Sequence, residues 1–268
     1  DAIAVADLPL LDRWMLQRTA EVMDEITEAF ESYEFFRFFQ LLQNFCVTDL
    51  SNFYLDIAKD RLYVSAPADR RRRSCQTVMA LIIERLAGFI APVLCHMAED
   101  IWQNLPYSVQ ETSVFQRGWP TVPSAWRNDT LSAPMQQLRE LRAAVNKVLE
   151  DCRGRQELGA SLEAAVRIDA RSPELQSALS WLNDNGDPDV DGLRDWLLVS
   201  QLQLGGEPWA EVLASQEDAT AVIDVSRARG TKCDRCWHYE ADVGQHADHP
   251  DLCGRCVGVL ERRTHQLA

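Results

Sequence analysis

Apolar residues recur at helical spacing through the first part of the chain. Between residues 10 and 30 they include Met15, Val22 and Ile26, with charged residues between them, which predicts an amphipathic helix. The same period predicts helices over about 35–57, 69–90 and 91–105, with Pro92 separating the last two. Amphipathic helices joined by short connections predict an antiparallel helix bundle.

Residues 135–152 keep the helical spacing of apolar residues, which predicts one more long helix. After Gly159 the spacing of apolar residues changes. A shorter helix is predicted over 173–182, with Pro173 in its first turn. Alternating segments at 162–168, 197–204 and 221–227 predict a three-stranded antiparallel sheet. Between them and the bundle, residues 106–134 are rich in Pro, Ser and Thr. This stretch predicts a linker that wraps the bundle, with Trp119 and Trp126 as anchors.

Two Cys-x-x-Cys pairs follow the predicted sheet. Each pair can place two thiolates on one face of a tight turn, and two such knuckles complete a tetrahedron around Zn²⁺. Four protein ligands leave no open position, so the zinc is predicted to be structural. Gly254 supplies a backbone with few steric limits inside the second knuckle. The predicted ligands are Cys233, Cys236, Cys253 and Cys256, with sixteen residues between the pairs.

Two other interpretations of these cysteines stay open. Two disulfides are disfavoured because no secretory signal is present and the other cysteines are isolated. A mixed site is the better rival, because His238, His246 and His249 lie between the pairs. Four cysteines remain the favoured set, since both knuckles are complete without a histidine.

The pattern predicts a mainly α fold: an antiparallel helix bundle followed by a small α+β unit and a four-cysteine zinc-ribbon finger. The predicted domains are a bundle with its wrapping linker over 1–134, a small α+β junction domain over 135–226 and a zinc finger over 227–268. A helix over 257–263 is expected to close the finger.

Charge limits the ways in which this protein can bind a polyanion. The 268 residues carry a net charge of −14, which argues against binding nucleic acid over the whole surface. Residues 227–268 differ, with seven basic and six acidic residues. A polyanion is therefore expected at local patches, of which this segment is one.

The sequence predicts a cytoplasmic protein. No apolar run reaches the ~18–20 residues of a membrane span, and no signal peptide is recognisable. The first residue is Asp1, so a piece of a longer chain is expected. The remaining cysteines lie among apolar neighbours and are predicted to be buried free thiols: Cys46, Cys75, Cys95 and Cys152.

Familiar catalytic motifs are missing from the sequence. It contains no glycine-rich phosphate loop after a strand and no Gly-x-Ser-x-Gly elbow. His96, on an apolar helix, is predicted to be a core residue. The residues themselves therefore indicate a binding unit.

Several motifs resemble one family. Residues 232–239 (KCDRCWHY) and 252–257 (LCGRCV) resemble the C-terminal zinc finger of bacterial isoleucyl-tRNA synthetases. Residues 11–14 (LDRW), 49–63 (DLSNFYLDIAKDRLY) and 86–92 (LAGFIAP) are similar to the anticodon-binding bundle of the class I isoleucine, valine and leucine synthetases. Residues 159–164 (GASLEA) resemble the run that joins bundle and finger in this family.

The resemblance implies that this segment binds tRNA and that another domain of the same enzyme carries out the reaction. Bundle and finger are expected to hold the anticodon stem-loop of isoleucine tRNA, while a catalytic domain of the same enzyme uses ATP to aminoacylate it. The His-x-Gly-His and Lys-Met-Ser-Lys-Ser motifs of that domain do not occur in this sequence. We therefore expect no catalytic residue, no ligase activity from this fragment alone, and a monomer.

The finger offers groups suited to an unpaired RNA loop, where proteins recognise bases by stacking and edge hydrogen bonds. Trp237 and Tyr239 are predicted stacking faces, and Lys232 and Arg235 are predicted cations. Arg255, like Arg235, lies inside a Cys-x-x-Cys turn, and both side chains are expected to be exposed. An equally supported alternative packs Trp237 on the knuckle as a small core.

A second basic feature lies at the predicted start of the third helix. It is either a phosphate-backbone contact or a solvated helix start, and cations at a helix N-terminus oppose the dipole. The run consists of Arg70, Arg71, Arg72 and Arg73.

Two other functions compete with tRNA binding. A DNA-repair glycosylase carries a finger of similar spacing, but it needs an N-terminal catalytic amine and a mainly basic surface. A zinc-ribbon interaction module without any RNA role is the other alternative.

Overall fold

The computed structural model describes residues 2–267, and side chains as far as residue 262. Its contacts divide the chain into two compact units, Asp1–Asp56 with Arg73–Asp129 and Ile57–Arg72 with Thr130–Ala268. The predicted three-domain boundaries stay a prediction. Among the described residues, no helix combines the length and the apolar character that crossing a membrane requires.

The first unit begins with a long amphipathic helix, α1 (Leu10–Glu31). Its apolar stripe is fully buried, including Leu11, Met15 and Met23. Helix α2 (Phe35–Asn44) follows after a short turn, so that α1 and α2 form a helical hairpin. Tyr33, with φ of +58°, makes the turn between them.

The sequence predicts one regular helix over about 35–57, but only its first part, α2, is a regular α-helix. Residues Phe45–Leu55 form a π-helix, and helix α3 (Asp56–Tyr63) continues from it. A buried polar contact and a partly buried one join the π-helix to α1. The Tyr54 hydroxyl donates to Asp12 Oδ1 at 2.6 Å, and Arg18 Nε donates to Asp49 Oδ2 at 3.0 Å.

Helix α4 (Arg70–Ile90) and helix α5 (Cys95–Gln103) complete the predicted set. The prediction began α5 at residue 91, but residues 91–94 form a turn. The predicted burial of Cys95 and His96 is wrong, because both are exposed at the start of this short helix. Cys46 is half-buried, whereas Cys75 and Cys152 are buried as predicted.

Residues 106–129 contain short 3-10 turns, and the tryptophan anchors are as predicted. The Trp119 ring packs edge-on against Phe30 at 5.0 Å and against Phe89 at 4.9 Å between centroids. Trp126 is buried, with the Arg85 guanidinium 4.9 Å from its ring centroid.

The second unit contains helices α6 (Ser132–Gly154), α7 (Pro173–Asn185) and α8 (Leu193–Leu197) around a sheet. The strands are β1 (Ala164–Ala170), β2 (Gln201–Leu204), β3 (Ala214–Glu217) and β4 (Ala221–Arg227), in the order β2-β1-β4-β3. The predicted three-stranded antiparallel sheet is therefore wrong in two respects. It has a fourth strand, β3, and β2 runs parallel to β1 with Ala165 opposite Gln201.

The finger follows β4 directly. Strands β5 (Thr231–Lys232) and β6 (Tyr239–Glu240) form a two-stranded antiparallel ribbon around the first knuckle. Helix α9 (Gly254–Leu267) begins within the second knuckle, three residues earlier than predicted. The fold class is confirmed: a helix bundle, a small α+β unit and a cluster of four cysteines.

Candidate metal centre and RNA-facing surface

The four predicted zinc ligands meet in one buried cluster. Their Sγ atoms all lie within 4.8 Å of one another, and all four residues are buried. Cys236 Sγ and Cys253 Sγ are 3.7 Å apart. A tetrahedral zinc site with Zn–S bonds of about 2.3 Å requires sulfurs about 3.8 Å apart, so the donor set fits Zn²⁺ in size and in chemistry.

The rival interpretations fit the structure less well. A separation of 3.7 Å is well beyond the ~2.05 Å of a disulfide bond, and the four cysteines are free thiols. Within the described part of the chain, the cluster includes no histidine. His246 Nε2 instead lies 3.4 Å from Asp242 Oδ2, and the His238 ring is buried elsewhere in the finger.

Backbone hydrogen bonds shape both knuckles. Cys233 N–H donates to the His238 carbonyl at 2.9 Å, and Cys253 N–H donates to Cys233 Sγ at 3.4 Å. Gly254 N–H donates to Asp242 Oδ2 at 2.8 Å, which places a carboxylate at the start of α9. A Cβ at Gly254 would lie 2.8 Å from the same oxygen, so a side chain here would displace Asp242 from this hydrogen bond.

The thiols of the cluster interact with one another and with the arginines of the two knuckles. A hydrogen bond with Cys256, supported by the Arg255 guanidinium, lowers the pKa of Cys236 to about 4. Burial raises the pKa of Cys253 to about 11, and the Cys236 hydrogen bond raises the pKa of Cys256. Anionic sulfur is therefore already favoured at Cys236, and a thiolate is the form that binds zinc.

Arg235 lies in the first Cys-x-x-Cys pair and contacts the second, whereas Arg255 lies in the second pair and contacts the first. Arg235 Nη1 donates to Cys256 Sγ at 3.7 Å, and Arg255 is hydrogen-bonded to Cys236. Four thiolates and one Zn²⁺ would carry a net negative charge, and these two guanidiniums offset it. Each knuckle is thus stabilised by a residue of the other.

The same arginines attach the finger to α3, within the second compact unit. Arg255 binds Asp60 with hydrogen bonds of 2.7 and 2.9 Å, and Arg235 Nη2 donates to the Val64 carbonyl at 2.6 Å. The expectation that both side chains are exposed is wrong, because both are half-buried in these contacts. Sequence reasoning missed Asp60 and Val64 because neither has a local signal that links it to a motif some 170–195 positions away.

The basic run at the start of α4 is also engaged with protein groups. Arg70 pairs with Asp187, and Arg71 pairs with Asp60 at 3.3 Å and Asp195 at 2.9 Å. In the first unit, Arg73 Nη1 donates to Gln76 at 3.3 Å. Arg72, which is half-buried, also has an interaction partner. At Arg70 and Arg71, these ion pairs satisfy charge that a phosphate-backbone contact would have used.

Trp237 is presented to solvent in a strained backbone conformation. Its side chain is 61% exposed, which argues against the alternative in which it packs as a small core. Its φ is +66°, in the left-handed region that a bulky residue rarely adopts. The hydrogen bond from its N–H to the Cys233 carbonyl, at 2.9 Å, fixes this conformation in the knuckle.

Two further predicted RNA-binding residues border Trp237. Exposed Lys232 places Nζ 5.7 Å from the Trp237 ring centroid. Tyr239, opposite Lys232 in the β5–β6 ribbon, is half-buried, and its N–H donates to Ser200 Oγ at 2.8 Å. Lys232 and Trp237 therefore form an exposed cation–aromatic pair beside the metal cluster.

A helical unit with a buried Asp12–Tyr54 contact, followed by a four-cysteine finger, defines the class of protein. Residues 12–168 match the family model for the anticodon-binding domain of tRNA ligases, and the chain belongs to this family. Residues 230–258 match the model for the zinc finger found in FPG and IleRS. The two matches together confirm the resemblance found in the motifs.

The chain is also similar to curated isoleucine–tRNA ligases. It is 92% identical over 267 residues to that of Parasynechococcus marenigrum (strain WH8102) and 77% identical over 263 residues to that of Prochlorococcus marinus (strain MIT 9313). These alignments cover 100% and 98% of this chain. The chain spans 27% of the length of each of these relatives.

Proposed function

We propose that this chain is the part of an isoleucine–tRNA ligase that binds the anticodon stem-loop of isoleucine tRNA. The support is membership of the anticodon-binding family, together with 92% identity along the chain to one such ligase. In this proposal, ATP-dependent aminoacylation is performed by a catalytic domain of the same enzyme. The enzyme acts as a monomer in the cytoplasm.

In the proposal, Zn²⁺ is held by Cys233, Cys236, Cys253 and Cys256 and acts structurally. With four protein ligands it supplies no open coordination position, so its contribution is to fix the two knuckles. Arg235 and Arg255 then position the finger through Val64 and Asp60 rather than contacting RNA. This assignment replaces their predicted role as exposed cations.

The observation that carries the proposal is the exposed, strained Trp237. Backbone strain persists where the surrounding structure enforces it, and it clusters at functional sites. An indole with Lys232 above it offers a stacking face for an unpaired base and a charge for the adjoining phosphate. Aromatic stacking of unpaired bases is the usual means by which proteins read single-stranded RNA.

A binding comparison tests this proposal. The zinc-loaded, full-length protein is titrated with labelled isoleucine tRNA, with the same tRNA carrying an exchanged anticodon, and with duplex DNA. We expect clear preference for the first. Equal affinity for all three would reject anticodon recognition and leave the interaction module, whereas preference for DNA would favour the glycosylase alternative.

A further inference from the structure

A groove of about 990 Å³ lies in the second unit, at the end of the sheet from which the chain enters the finger. The beginnings of β1 and β2, the end of β4 and the segment 209–213 line it. Its polar side chains include Arg227, Arg229, Trp209 and Glu211. None of these residues belongs to a motif that the sequence marks as functional.

Arg227 and Arg229 line this groove without an acidic partner. Both are exposed, and among the described residues neither guanidinium forms an ion pair. By contrast, Arg155 pairs with Glu157, Arg171 with Glu217 and Arg194 with Glu240. In a chain of net charge −14, two cations that line one groove and form no ion pair indicate a site for an anion.

The rim of the groove is held in place by side-chain amides. Gln201 clamps the backbone of Arg229, donating to its carbonyl at 2.8 Å and accepting from its N–H at 3.0 Å. Gln203 Oε1 accepts from the Trp209 indole N–H at 2.8 Å. Both amides are thereby occupied, so the groove offers an aromatic ring and two guanidiniums but no free amide to read a base edge.

We infer that this groove binds a single-stranded RNA segment, with its phosphates at Arg227 and Arg229 and one unstacked base against Trp209. The inference rests on the proposed function and extends its RNA surface from Lys232 and Trp237 back along the end of β4. Stacking and backbone charge without edge hydrogen bonds give affinity with little sequence preference. Glu211, which also lines the groove, places the phosphates on the arginine side by repulsion.

The test measures salt dependence, because the removal of phosphate contacts has a defined signature. The full-length, zinc-loaded protein is titrated with a labelled anticodon stem-loop of isoleucine tRNA at several salt concentrations. For the double variant R227Q/R229Q we expect roughly tenfold or greater loss of affinity at low salt. The slope of log K against log[salt] should become shallower by about 0.7 for each single-strand phosphate that is no longer neutralised.

A matched control removes the same charge elsewhere in the unit. In R153Q/R171Q the two guanidiniums removed are those already paired with Glu150 and Glu217, so affinity and slope should both stay near wild type. Trp209→Leu should weaken binding severalfold without changing the slope, and Trp209→Phe should restore it by keeping a stacking face.

The outcomes separate this inference from the proposed function. If R227Q/R229Q behaves like R153Q/R171Q while wild type still prefers isoleucine tRNA, the groove proposal is wrong and anticodon binding stands. If wild type shows no preference for the stem-loop, both proposals fail together. A loss of affinity with an unchanged slope also overturns phosphate binding at Arg227 and Arg229.

Discussion

Arg255 and Asp60 form a two-pronged ion pair, Nη1 to Oδ2 at 2.7 Å and Nη2 to Oδ1 at 2.9 Å. Arg255 lies between two predicted zinc ligands, and Asp60 lies on α3, 195 positions earlier. The side chains are 31% and 14% exposed. The metal cluster and this helix are therefore expected to be stabilised together.

Asp60→Asn should loosen the metal site without touching a ligand. Asparagine has one accepting oxygen where aspartate has two, so it cannot form both hydrogen bonds of the two-pronged pair, and leaving Arg255 half-buried without that counter-charge costs about 1–2 kcal/mol. Since 1.4 kcal/mol is a factor of ten, zinc affinity should fall roughly fivefold to thirtyfold. Competition with a chromogenic chelator measures this directly.

The ionisation of Asp60 decides the pH at which zinc affinity should be compared. Burial raises its pKa, but the hydrogen bonds and charge of Arg255 outweigh burial and lower the pKa below its usual range. Its contribution is therefore complete above the unfolded-state value of about 4 and is lost as pH falls through the lower folded-state pKa. At pH 7 the ion pair is fully formed.

Asp224→Asn is the control, because Asp224 pairs with Arg167 at 3.4 Å and is likewise largely buried, but it lies in the sheet and shares no arginine with Asp60. Its zinc affinity should match wild type. Equal zinc loss in both variants would indicate general destabilisation rather than a specific link between Asp60 and the finger.

The sheet illustrates how far local pattern determines topology. Residues 221–227 are predicted correctly as a strand because three of them, Val222, Ile223 and Val225, are β-branched and apolar, and six of the seven β4 residues are buried. Strand β3 reads Ala-Ser-Gln-Glu, lies at the sheet edge and is half-exposed, so it carries almost no apolar signal. The parallel pairing of β1 and β2 depends on the crossover through α7 and α8, since parallel strands need such a connection.

The candidate site also has one part that the local sequence predicts and another that it does not. The four-cysteine cluster is predictable because its members lie in two short Cys-x-x-Cys segments whose spacing is that of a zinc knuckle. The roles of Arg235 and Arg255 are not, because their partners Val64 and Asp60 are distant in sequence and ordinary in type. Trp237 can be predicted as a candidate, but its exposure depends on a positive φ that the sequence does not signal at a non-glycine residue.

Removal of zinc should unfold the finger and leave the sheet intact. The buried cluster of the finger consists of the four thiols and Val64, with Val243 and Leu252 partly buried against it, so little apolar core remains without the metal. Hydrogen exchange after chelation should lose protection across 231–258 but keep it across 164–170 and 221–227. Added zinc should restore it, and protection that survives chelation would mean that the metal does not hold the knuckles.

Tyr54→Phe should destabilise the helical unit. It removes the hydroxyl that donates to Asp12 at 2.6 Å, and both residues are fully buried. Leaving the buried carboxylate with one fewer donor costs about 1–3 kcal/mol, which a thermal or urea transition of this unit detects. Tyr33→Phe, at a side chain that is 80% exposed, should leave the transition unchanged; equal shifts in the two variants would contradict a role for the buried hydrogen bond.

Trp237→Gly should separate folding from RNA binding. Glycine adopts a φ of +66° without the roughly 1–2 kcal/mol that a side chain costs there, and this gain offsets the greater chain entropy of glycine in the unfolded state. Zinc affinity and thermal stability should therefore be equal to or above wild type. Loss of a stacking face should weaken binding of the anticodon stem-loop by ~1–3 kcal/mol, about fivefold to over a hundredfold.

Trp237→Phe completes this comparison, because it keeps both the strained backbone and an aromatic face. Trp237→Phe should retain most of the RNA affinity and should gain no stability over wild type. Trp237→Gly should lose RNA affinity without losing stability, so the two variants separate the effect on binding from the effect on stability. If Trp237→Gly binds the stem-loop as tightly as wild type, the exposed indole is not a stacking platform. The strain at this position would then serve the knuckle alone, and Lys232 would lose its aromatic partner in recognition as well.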